Sequence, residues 1–176
     1  MMIRSLLEKT LNDLKERLKP NNTLTMMIPG SDNDEFTCEF NSPLISSQLL
    51  QEFEEKTKLI LPNDFKDFLL IHDGSLLFAD PYYGGGVHIM SLEKILDLYI
   101  IYTRSELLPK GWYVIGNDDG DHLFVNSNQL NEDGEGDHYL YWSSLIDVDT
   151  DPTNLNCNFE TWLERMSNNL GRKYWI

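Results

Sequence analysis

Between Gly111 and Glu164 the chain has neither lysine nor arginine. Over all 176 residues the two together number 14, against 29 aspartates and glutamates, a formal net charge of −15. That balance argues against nucleic acid as a direct partner, because holding a phosphate backbone needs a basic face. Cysteine is scarce too. Cys38 and Cys157 lie far apart and match no spacing used for metal or redox work, so both are expected as reduced, buried thiols. No stretch approaches the ~20 apolar residues that span a bilayer. The opening MMIRSLLEKTLNDLKERLK scatters charges where a secretory signal needs an apolar run. The expectation is a cytoplasmic protein with no membrane partner.

The patterns of catalysis are equally sparse. Four histidines occur, His72, His88, His122 and His138, and none belongs to an i, i+4 pair with an intervening glutamate. Asn131–Asp137 alternates carboxylates as a calcium loop does. Aligning Gly136 with the required glycine, however, puts Trp142 where a bidentate glutamate is needed. Asn117-Asp118-Asp119-Gly120-Asp121 fails because it runs straight into a strand. Both stretches read instead as hairpin turns, whose Asp, Asn and Gly residues tolerate positive φ. Gly84-Gly85-Gly86 lacks dinucleotide-binding spacing and precedes a strand, so no helix N-terminus receives a phosphate there. No GxSxG elbow occurs, and neither cysteine has a neighbour that would activate it. No catalytic residue, cofactor or metal is expected. A divalent-metal enzyme using His122, His138 and nearby acids is the third-ranked reading.

What is present is ordinary globular composition, 41% hydrophobic and 24% charged, at a length that suits one domain. Ile3, Leu6, Leu7, Leu11, Leu14 and Leu18 recur at helical spacing over residues 2–18, and Pro20 closes that helix. Thr23–Ile28 and Phe36–Phe40 read as strands of a hairpin. Ser46 or Ser47 caps a helix to about Lys58. Pro62 opens another, with Phe65, Phe68, Leu69 and Ile71 inward and Gly74 as its stop. Leu76–Phe78 and Val87–Met90 flank a mobile PYYGGG loop. Ser91 caps a helix to about Tyr102. WYVIG, DHLFVN and HYLYW form an antiparallel meander, and Phe159–Met166 is the final helix. The order gives an α+β domain, with a mainly antiparallel sheet flanked by four to five helices.

LPNDFKDFLLIHDG, residues 61–74, resembles a signature of the SUKH superfamily. That group joins bacterial immunity proteins of polymorphic toxin systems with fungal regulators of cell-wall synthesis. The parts that carry the likeness are Leu61, Pro62, Asp64, Phe65, Asp73 and Gly74. They are followed in order by Trp112, Ile115, Gly116, Asp119, Gly120 and Asp121, and then by Phe159, Trp162 and Leu163. The resemblance covers roughly residues 43–166 and implies a SUKH-like domain at 43–176. Residues 1–42, a helix and a hairpin, would pack on that domain or form part of it. The resemblance implies a binding protein and leaves its ligand open.

Much of this has a bland reading, since helix initiation and core packing alone call for Leu61-Pro62 and for Phe65 through Ile71. The acids from Asp118 to Asp151 could equally serve solubility. The functional reading is a contact face for a basic toxin domain, such as a nuclease, docked by charge and aromatic anchors. In HYLYW, alternation puts Leu140 and Trp142 on one face and Tyr139 and Tyr141 on the other. The partner-binding candidates are therefore Tyr82, Tyr83, Asp118, Asp119, Asp121, Glu132, Asp133, Glu135, Asp137, Tyr139 and Tyr141. An immunity protein that occludes a cognate toxin's active site is the leading expectation. A regulatory scaffold with several cellular partners is the alternative.

Overall fold

The structure, a computed structural model, describes residues 5–27 and 34–176. The start of the expected first helix and most of the expected first turn lie outside the described residues. The first helix, α1 (Leu6–Arg17), is fixed at its start by a reciprocal cap: Ser5 Oγ accepts from the Glu8 N–H, and the Glu8 carboxylate accepts from the Ser5 N–H. Its inward residues Leu7, Leu11 and Leu14 are fully buried. Two strands follow, β1 (Thr23–Met26) and β2 (Asp34–Phe40). Next come α2 (Gln48–Thr57), closed by a left-handed Lys58, and α3 (Asn63–Ile71), entered through Pro62.

The remaining chain alternates strands with short connections. It forms β3 (Ser75–Ala79), β4 (Val87–Ile89), α4 (Leu92–Arg104), β5 (Trp112–Asp118), β6 (Asp121–Asn126), β7 (Leu140–Ser144), β8 (Thr153–Asn154) and α5 (Phe159–Asn168). Ser91 caps α4 through its side chain, as its position before an apolar periodic run predicts. The β5–β6 turn places Asp119 and Gly120 at φ of +53° and +93°, the positive-φ pair that a two-residue hairpin requires. Gly74 has its own reason to lack a side chain. At φ +97°, a Cβ there would stand 2.8 Å from the Ile89 carbonyl oxygen.

The strands form one eight-stranded sheet in chain order, with every neighbouring pair antiparallel. This order sorts the connections. Each link from an odd-numbered to an even-numbered strand falls at one end of the sheet, the turn end. Each link from an even-numbered to an odd-numbered strand falls at the other, the helix end, which carries α2, α3, α4 and the loop 127–139.

The larger core lies on one face, where Tyr113, Ile115, Leu123, Val125 and Leu140 meet Leu11, Phe53, Phe65, Phe68 and Trp162 of the helices. A smaller core on the opposite face joins Trp112, Val114, Phe124 and Val148, with Tyr102 packed against it. Burial on both faces explains why β5 and β6 read as near-continuous apolar runs. Cys38 and Cys157 are both buried and free. Among the described residues no helix is long and apolar enough to cross a membrane.

Because α1 and β1 contribute to the same core as the later elements, Leu11→Ala should destabilise the whole molecule by about 2–4 kcal/mol. Urea unfolding followed by circular dichroism checks this, with one shifted transition expected. A separate early transition would show that the N-terminal elements melt as their own unit.

Candidate functional site

Three helices begin at the same place at the helix end, and one carboxylate links them. Asp64, in the first turn of α3, accepts from its own neighbour's N–H (Phe65, 3.0 Å) and, through Oδ2, from the Glu160 N–H in the first turn of α5 (3.0 Å). Its Oδ1 also accepts from the Tyr139 hydroxyl at 2.5 Å, and that hydroxyl accepts from the Phe159 N–H at 2.8 Å. Glu160 extends the chain by accepting from the Leu7 N–H of α1 at 3.3 Å. The free N–H groups of helix starts need acceptors, and here α5 borrows one from α3 and α1 borrows one from α5.

Burial raises the Asp64 carboxyl above the ordinary 3.8, and its hydrogen bonds only partly offset this. Burial and nearby carboxylates also raise Asp67 and Glu160. The surroundings therefore suit an internal structural joint.

Tyr139 is thus a correction. Alternation assigned it to the contact face, but it is fully buried in the larger core beside Leu140. The strand begins one residue later, at Leu140, and alternation does not hold where the chain turns in so that Tyr139 reaches Asp64. Tyr141 does face the other way. It is half-buried, packs 4.5 Å from Trp112, and its hydroxyl accepts from Gln129 and Asn154.

The acidic run is also not one surface. Glu132, Asp133, Glu135 and Asp137 sit in the loop at the helix end. Part of that loop is scaffolding: Asn63 donates to Glu135 (2.5 Å) and to the Asp133 carbonyl (2.9 Å), and the Asn63 N–H donates to the Gly134 carbonyl (3.0 Å). Asp118, Asp119 and Asp121 sit at the turn end. Asp118 pairs with Lys173 at 3.1 Å and Asp121 accepts from Trp142 Nε1 at 3.1 Å, so both hold the larger core and the C-terminal segment together. Asp119 alone of the three points freely outward.

The turn end nevertheless gathers a distinctive set. Tyr82 and Tyr83 are 86% and 92% exposed. Their loop, expected to be mobile, is a closed turn: Asp80 and Gly84 exchange backbone hydrogen bonds, and the Asp80 carboxylate accepts from both tyrosine N–H groups at 2.8 Å. Beyond the β5–β6 turn, the β7–β8 connection displays Ile146, 89% exposed, with exposed Asp147, Asp149 and Asp151. Sequence reading missed Ile146, whose signal was an aliphatic residue inside an acidic turn.

The two histidines of the metal-enzyme alternative lie apart in the structure. His122, the second residue of β6, lies opposite Ser143, whereas His138 precedes β7 in the helix-end loop and is not on a strand, contrary to expectation. Five residues of chain separate Ser143 from His138, about 16 Å along the strand direction. Among the described residues no group of three His, Cys, Asp or Glu side chains could hold a metal ion.

Comparison with known proteins adds a family. The model described as SMI1 / KNR4 family (SUKH-1) matches residues 44–165, which include Asp64 and the start of α5. Two proteins of Bacillus subtilis (strain 168) are similar along most of their length. "Uncharacterized protein YnaB" is 32% identical over 142 residues, 81% of this chain and 89% of that protein. "Uncharacterized protein YobM" is 28% identical over 174 residues, 95% of this chain and 89% of that protein.

Asp64→Asn should cost about 2–4 kcal/mol, because it turns an amide donor toward groups that already donate. The loss should depend on pH. Wild-type Asp64, with its folded pKa above the unfolded value, gains stability as pH falls from neutral through that raised value toward 3.8. Asparagine has no such gain, so the gap between the two proteins should widen on acidification. A gap that narrows would show that the carboxylate is held below its ordinary range.

Proposed function

The chain belongs to the SMI1/KNR4 family (SUKH-1), and on that premise we propose that it is an immunity protein that docks on a cognate toxin domain and blocks its active site. Members of this family are typically immunity proteins. The observation that carries the reading for this chain is the turn end, where exposed Tyr82, Tyr83 and Ile146 stand among Asp119, Asp147, Asp149 and Asp151. A surface with large apolar anchors and one sign of charge is built for a partner of opposite charge. Lys173, in the C-terminal segment beside this end, is already paired with Asp118.

The fitting partner is a basic toxin domain, such as a nuclease whose phosphate-binding groove the carboxylates would fill. Charge would speed encounter, and the tyrosines would slow departure. The protein would act without catalytic residues, in the cytoplasm where the toxin would otherwise work. Of the candidates first drawn from the sequence, Tyr82, Tyr83 and Asp119 remain in this contact surface. Asp118 and Asp121 support it, while Glu132, Asp133, Glu135 and Asp137 lie at the far end of the sheet.

The test is growth rescue of cells expressing the toxin domain encoded beside this chain's gene, together with binding kinetics between the two purified proteins. Asp147, Asp149 and Asp151 changed together to Asn should slow association about tenfold at low salt and flatten its salt dependence. Tyr82→Ala with Tyr83→Ala should instead speed dissociation by about tenfold or more. Rescue by both variants with unchanged kinetics would remove the turn end from the interface. Failure of the wild type to rescue would count against immunity itself.

A further inference from the structure

The second face of the sheet holds a cleft of about 470 Å3 that has no part in the turn-end surface. One wall is a stripe of α4, where Lys94, Leu98 and Tyr102 follow at i, i+4 and i+8 and so share a helix face. The facing wall is a row across three adjacent strands, because His88 pairs with Asn117 and Asn117 with His122. Directly paired residues point to the same side of a sheet.

Three features distinguish this cleft from a solvated groove. Among the described residues no carboxylate lines it, although the chain carries 29 acids. Lys94 has no ion-pair partner among the described residues. His122 Nδ1 is buried without a hydrogen-bond partner, and its ring is set edge-on to Tyr102, centroids 6.2 Å apart at 85°. An ordinary surface would account for Lys94 and the exposed His88. It gives no reason for a polar row across three strands that faces a lysine with no carboxylate lining the space between.

We propose that this cleft binds a small phosphate-bearing ligand, with Lys94, His88 and Asn117 donating to the oxyanion, the His122 ring beside them, and Leu98 and Tyr102 packing on the remainder. Donors on opposed walls suit the divergent oxygens of a tetrahedral group better than the two coplanar oxygens of a carboxylate. The volume lies within the ~300–1,000 Å3 range of small-molecule sites. The site is independent of the toxin-facing reading.

Binding should strengthen on acidification. The titratable and charged groups that face the oxyanion are Lys94 and Tyr102 from α4, His88 from β4 and His122 from β6. Asp121 lies beside His122 in the chain, and its charge reaches that ring. Asp97 stands three residues along α4 from Lys94. Burial holds His122 below the ordinary 6.5, with Asp121 opposing, so its positive charge becomes available to an anion as pH falls.

The experiment is histidine-resolved NMR on the full chain, titrated separately with inorganic sulfate, phenyl phosphate and benzoate. The ring signals of His88 and His122 should shift saturably while that of His138 does not. Phenyl phosphate should bind roughly tenfold more tightly than benzoate. Sulfate, whose charge is constant between about pH 8 and about pH 6, should bind more tightly at the lower value. Lys94→Gln, at an exposed helix position that does not threaten folding, should weaken phenyl phosphate binding about three- to tenfold. The proposal is overturned by shifts that never saturate, by equal shifts at all four histidines, by benzoate matching phenyl phosphate, or by an inert Lys94→Gln.

Discussion

A carboxylate drawn into a protein interior must be given hydrogen-bond donors or surrender its charge. Asp64 is given donors from three places: its own helix, the first turn of α5 and the hydroxyl of Tyr139; one step on, the Glu160 carboxylate accepts from the first turn of α1. None of these groups is near another in sequence except Phe65. The three helix starts are therefore brought together around a single acid whose cost of burial these hydrogen bonds partly offset. Tyr139 serves both sides of the joint, donating to Asp64 and accepting from Phe159. Its ring fills the core at the same time.

The strictly sequential sheet turns this joint into a division of labour. With every pair antiparallel and in chain order, the long helix-bearing connections collect at one end and the short turns at the other. The helix end is tied by the Asp64 network and by Asn63 to the acidic loop. The turn end is held by side chain-to-backbone bonds at Asp80 and by the Lys173–Asp118 pair. A partner meeting the turn end can be recognised by residues that carry no fold, so those residues are free to differ between proteins that share the scaffold.

Much of the scaffold was legible in the chain. Apolar spacing at Leu7, Leu11 and Leu14, the Ser91 cap and the Asp119-Gly120 turn are local signals, and local signals determine local structure. The order of elements was enough for an α+β domain with an antiparallel sheet. The LPNDFKDF stretch and the later Trp112 strand carried the family likeness, and they proved to be fold-forming residues, Phe65 and Phe68 in the core and Asp64 in the joint.

The proposed contact surface was only partly legible, for a physical reason. Acids close in sequence, such as Asp121 and Glu132, were separated by one strand length and sent to opposite ends of the sheet. Which tyrosine faces outward depended on where β7 begins. Tyr139 was drawn inward by an aspartate 75 residues earlier, a distance over which strand alternation carries no information. The cross-strand row of His88, Asn117 and His122 was likewise invisible until the register was known.

Native-state hydrogen exchange tests the rigid joint and displayed turns most directly. The amides of Phe159 and Glu160 should exchange only through global unfolding, while those of Tyr82, Tyr83 and Asp119 should exchange through small local openings. First-turn amides of α5 exchanging as fast as those of the turns would contradict the account, because the Asp64 joint would then be no firmer than the surface it is meant to support.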